Sequence, residues 1–171
     1  HLLLLGGAST ALLVWTAHFA QALGRRPLAG GTRLQAVRLV AHQVGAVAVI
    51  GGLLAGRSGV VGAGAALVGA NALWHGAVLL PAARDALGSR LGWTTRFFVA
   101  SALALPVGAL LGWRMVDAAG DVAARAYVGH VAVMLLGWVG LAVVGTLVTL
   151  WPTMLRVPLE DTAERAGRRA L

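Results

Sequence analysis

Five histidines, His1, His18, His42, His75 and His130, are the side chains best placed to do chemistry in this chain. Each falls inside a long apolar stretch or at its edge. The six carboxylates, Asp85, Asp117, Asp121, Glu160, Asp161 and Glu164, fall instead in polar connections or in the C-terminal tail, and there is no cysteine. Imidazole therefore carries whatever chemistry the apolar stretches hold. Neutral imidazole is a good ligand for iron, and two of them on facing helices can hold a haem from both sides. Three imidazoles suit copper or zinc. Met115, Met134 and Met154 are scattered rather than grouped, so they form no methionine relay for copper. Acid–base catalysis in these stretches would fall to histidine, Tyr127 or water. No serine–histidine–aspartate arrangement is visible. The plain alternative for each histidine is a hydrogen bond that ties one helix to the next.

The elements that must position these side chains follow from composition. The 171 residues are 58% hydrophobic and 12% charged, with a mean hydropathy of +0.81. Soluble domains carry roughly 25% charged residues. A soluble globular enzyme, a disordered tail and a disulfide-stapled module are therefore excluded. All fourteen positive charges are arginine. They punctuate apolar segments instead of forming a basic stripe, so the high isoelectric point does not point to nucleic acid.

Five stretches reach the length of about 20 apolar residues that a spanning helix needs. They run from Leu2 to Leu23, Gln35 to Gly56, Val60 to Ala82, Trp93 to Val116 and Ala126 to Leu155. Arg25-Arg26-Pro27, Arg57-Ser58-Gly59, Pro81 with Arg84-Asp85, and Trp151-Pro152 mark ends. Pro106 lies inside the fourth stretch and is expected to kink it. The predicted fold is all-α, an integral membrane bundle of five transmembrane helices over residues 1–155, followed by a polar tail over 156–171. A chain that opens on His1 is expected to be a piece of a longer one.

Charge sorts the connections. Arg25, Arg26, Arg33, Arg84, Arg90 and Arg96 share one side with the tail's Arg156, Arg165, Arg168 and Arg169. The other side has Arg57, Arg114 and Arg125, offset by Asp117 and Asp121. The positive-inside rule then predicts a multi-pass protein of the bacterial cytoplasmic membrane, N-terminus outside and C-terminus inside. On that topology His18, His42 and His75 each lie roughly 10 Å from the inner boundary, by helix rise. His1 and His130 open spans at the outer boundary. Two layers of histidine are the expectation, as a haem-binding bundle requires. Arg38 precedes His42 by one turn, in reach of haem propionates. Asn71 precedes His75 by one turn, placed to fix its tautomer. Arg114 and Arg125 are the corresponding cations for the outer layer. Gly108 and Gly112, one turn apart, together with Gly45, Gly52, Gly64, Gly69, Gly137, Gly140 and Gly145, read as close helix contacts.

The first span opens His1-Leu2-Leu3-Leu4-Leu5-Gly6, and the fifth reads His130-Val131-Ala132-Val133-Met134-Leu135-Leu136-Gly137-Trp138. This echo resembles the haem-ligating spans of haem–copper oxidase subunit I and NnrS-type membrane proteins. The continuation from Gly145 through Trp151-Pro152 to Arg156 is similar to the membrane domain of actinobacterial multicopper-oxidase and copper-nitrite-reductase-like proteins. The resemblance implies haem-type ligation by His130 and His1, with copper in a separate domain. The chain lacks adjacent histidines for a copper beside a haem, which departs from the oxidase pattern. The expectation is a b-type-haem electron-transfer domain, with His130, His42, His75, His1, His18 and Arg38 as the cofactor-binding set. Its expected partners are the bilayer and a redox partner or fused copper domain. The alternative is a non-catalytic membrane anchor for such an oxidase. A transporter is disfavoured, because no span carries a carboxylate.

Overall fold

The computed structural model describes residues 1–85 and 92–155. Within them it has five helices long and apolar enough to cross a membrane, and no strand. We label them α1 (Leu2–Gly24), α2 (Gly31–Leu54), α3 (Ser58–Asp85), α4 (Thr95–Arg114) and α5, which runs through Gly120–Ala132, Val133–Gly140 and Leu141–Leu155. The bundle is thus all-α, as its composition predicts. The large side chains left exposed, Leu2, Val40, Val47, Leu54, Val128, Leu136 and Met154 among them, give it an apolar exterior of the kind a bilayer covers. The tail over 156–171 and the connection over 86–91 lie outside the described residues, and Arg90 with them.

α3 is the central element, packed along α2 on one side and α4 on the other. The α2–α3 turn is only Ala55-Gly56-Arg57, with Gly56 at φ 62, so the two helices fold into a tight antiparallel hairpin. Small residues let their backbones touch. A Cβ on Gly64 would stand 2.7 Å from the Val49 nitrogen and 2.8 Å from the Gly45 oxygen, and one on Gly52 would meet the Val61 nitrogen at 2.8 Å. These pairs fix the register: residue 45 faces 68, 49 faces 64 and 52 faces 61. Carried one and two turns toward the start of α2, the same register sets His42 level with Asn71 and Arg38 level with His75. The apolar core continues from this hairpin through Ala46, Val49, Val68, Ala72, Ala102, Leu105 and Trp138.

Three features depart from the sequence-based expectation. α3 runs through Pro81 to Asp85, three residues past the expected Ala82. α5 begins at Gly120, six residues before the expected Ala126, because Ala119 and Gly120 supply an extended entry and a left-handed glycine at φ 57. Most consequentially, Leu2–Ala8 and Val133–Gly140 are wound as wide π turns. Such turns bond five residues back, and side chains donate to several of their carbonyls as well. Ser9 donates to Leu4 (3.0 Å), Thr10 to Gly6, His42 to Leu5 (2.9 Å), and Ser101 to Trp138. The two wide segments are tied together where Trp138 Nε1 donates to Ser9 Oγ (2.9 Å).

Candidate functional site: a histidine pair over an apolar cavity

His1, at the start of α1, meets His130, which lies ten residues into α5 and does not open it as expected. Their ring centroids are 6.3 Å apart and the planes are inclined by 32°. They line a cavity of about 270 Å³ whose walls are otherwise mainly apolar, among them Leu5, Val68, Leu105, Met134 and Trp138. Tyr127 and Trp113 also border it. The echoed sequences of spans one and five therefore come together in space, each leading into a wide turn.

The His130 ring is held in one orientation. Its Nδ1 donates to the Gly108 carbonyl at 2.8 Å, which places the lone pair of the neutral imidazole on Nε2. α4 makes room for this arrangement. A Cβ on Gly112 would stand 2.9 Å from His130 Nδ1 and 3.0 Å from Cε1, and one on Gly108 would meet Met134 Sδ at 2.5 Å. The Gly108/Gly112 pair is thus a helix contact, as its spacing predicts, and also the seat of an imidazole, which spacing alone does not reveal.

The remaining histidines do not form the expected single layer. His42 donates from Nε2 to the Leu5 carbonyl, near the start of α1. His75 Nε2 lies 2.9 Å from Thr16 Oγ1. The Thr16 proton is committed to the Leu12 carbonyl at 2.7 Å, so the His75 nitrogen is the donor in that bond. On the α2–α3 register His42 and His75 stand one turn, about 6 Å, apart in height, and they engage α1 at different turns. His18 is exposed on the outside of the bundle, edge-on to Trp15 at 5.7 Å. The expected trio is not assembled: α2 begins at Gly31, four residues before the expected Gln35, which sets His42 near mid-span, and His18 faces outward. Among the described residues, no three histidine or carboxylate side chains are grouped as a metal site would need.

Arg38 and Asn71 lie with His42 and His75 in a buried seam between α2 and α3. Arg38 Nη2 donates to Gln35 Oε1 at 2.9 Å. Arg38 Nη1, His42 Nδ1 and both amide atoms of Asn71 are buried without a partner. The expected Asn71–His75 bond is not formed. Arg114 and Arg125 are exposed at the His1 end. Ser9, Thr16, Gln35 and Ser101, which composition gives no reason to single out, prove to be the polar ties of the bundle. Compared with family models, characterised proteins and solved structures, the chain matches none.

Proposed function

We propose that this chain is a membrane-embedded electron-transfer domain that holds a b-type haem through His1 and His130. The observation that carries the reading is the separation of the two rings. Two imidazoles bound trans on one metal, each with a metal–nitrogen distance of about 2.0–2.1 Å, have centroids roughly 6 Å apart. His1 and His130 stand at 6.3 Å, on different helices, over a cavity with apolar walls. The His130 Nδ1–Gly108 bond supports it as well, since metal-binding histidines usually donate their second nitrogen to a carbonyl or carboxylate. The chemistry the haem supplies when bound is one-electron exchange at iron. His1 and His130 would hold the haem, the Gly108 carbonyl would orient His130, and the walls around it are mainly apolar.

Within this reading, His42 and His75 act as ties between helices, each engaged with α1. Arg38 does not serve the propionates of a haem on His1 and His130. It is level with His75, whose contact at Thr16 lies about 20 Å of helix from His1. The protein sits in the bacterial cytoplasmic membrane with the His1 end outside. A redox partner or a fused copper domain then meets the haem from that side.

The test is a dithionite-reduced absorption spectrum of the chain expressed with full haem supply and purified in mild detergent. A sharp α band is expected, lost in His130→Ala and His1→Ala and retained in His18→Ala. A wild-type protein with no α band overturns the proposal and leaves the anchor reading in its place.

A further inference from the structure

The buried seam between α2 and α3 carries an unbalanced charge. Arg38 is the only buried arginine among the described residues, at 2% exposure, and the carboxylates of the described spans, Asp85 and Asp121, stand at helix ends. Asp85, the acidic residue nearest along α3, stands about 15 Å of helix beyond His75. A guanidinium withdrawn from water needs an anion or a full set of acceptors. Arg38 has one neutral acceptor, Gln35 Oε1, and Gln35 is held in turn by its own bond to the Leu13 carbonyl at 3.5 Å. That bond occupies the Nη2 side and leaves Nη1 sealed and unpaired. One rung away, the Asn71 amide offers two unpaired donor hydrogens and an unpaired oxygen, and His42 offers the free lone pair of Nδ1.

We propose that this seam is a carboxylate-binding site. A carboxylate has two oxygens that suit the planar guanidinium edge, and its second oxygen matches a neighbouring amide donor. Arg38 Nη1 supplies the charge-assisted bond and Asn71 Nδ2 the second one. On one side of the site the Gly45–Val68 and Gly64–Val49 contacts close the helix pair. The site is independent of the haem proposal, since it shares no residue with the His1–His130 pair. The same chemistry has two sources, a small free acid or a carboxylate borne on an acyl chain.

The experiment uses the whole chain in an uncharged detergent and a sulfonate buffer, with ¹³C-carboxylate acetate in one arm and ¹³C-carboxylate oleate in the other. Binding is read by the shift of the labelled carboxylate stretch in the infrared and by a saturable rise in the unfolding temperature. Arg38→Gln, which keeps amide donors but removes the charge, is expected to weaken binding about 10- to 100-fold, the range of a charge-assisted hydrogen bond. Asn71→Leu is the second variant and is expected to weaken it less. Response to acetate assigns a small-acid site, and response to oleate alone assigns an acyl-chain carboxylate. No saturable shift with either probe in the wild-type protein overturns the proposal. So does an equal shift in wild type and in a folded Arg38→Gln or Asn71→Leu.

Discussion

At the scale of single residues, the weight falls on what orients an imidazole. His130 can present Nε2 to a metal only while Nδ1 stays on the Gly108 carbonyl, and the ring reaches that carbonyl because residue 112 has no side chain. Gly112→Ala puts a methyl carbon 2.9 Å from Nδ1, too close for the ring to stay where it is. We expect this variant to keep its helix content and lose about 10- to 100-fold in haem affinity, the usual effect of disturbing the support of a ligand. Haem titration followed at the Soret band checks it, and unchanged affinity would show that Gly112 serves packing alone. The five histidines were legible in the sequence because ionisable groups in apolar stretches stand out. Their partners were not. The Leu5 and Gly108 carbonyls belong to the backbone, and the Thr16 hydroxyl is one of many small polar groups; only the fold says which of these an imidazole meets.

The elements show where sequence reading succeeds and where it stops. Length and hydropathy place all five spans, because a bilayer admits few alternatives. They miss the wide turns in Leu2–Ala8 and Val133–Gly140, since the phase of backbone hydrogen bonding leaves no trace in hydropathy. They also miss the heights of the histidines, which depend on helix register. That register is set in the α2–α3 hairpin by glycines, and the close contact can be tested directly. A side chain on Gly64 would press on the Val49 nitrogen and the Gly45 oxygen, both backbone atoms in helices that cannot yield locally. Gly64→Val is therefore expected to cost about 1–3 kcal/mol, the usual penalty of overpacking a core. Gly59→Val is the control, because nothing lies within 4 Å of its added Cβ. Reversible unfolding in mixed detergent micelles measures both. Equal stabilities of the two variants would mean that α2 and α3 are not held at backbone contact.

At the scale of the whole molecule, the functional reading depends on which side of the membrane the cavity faces. The His1 end carries Arg57, Arg114 and Arg125 against Asp117 and Asp121, whereas the opposite end gathers Arg25, Arg26, Arg33, Arg84 and Arg96. Short arginine-rich connections are retained on the cytoplasmic side. The cavity and its histidine pair should then open toward the outside, where an external redox partner can reach them. The chain has no cysteine, so one introduced thiol is an unambiguous reporter. A cysteine at Ala118, in the α4–α5 turn, is expected to react with a membrane-impermeant maleimide on intact spheroplasts. One at Ala29, in the α1–α2 turn, is expected to react only after the membrane is opened. The reverse pattern would put the histidine pair on the cytoplasmic side and require its electron partner there. Reaction at both sites in intact spheroplasts would break the assignment of arginine-rich turns to one side, and with it the placing of the redox partner outside.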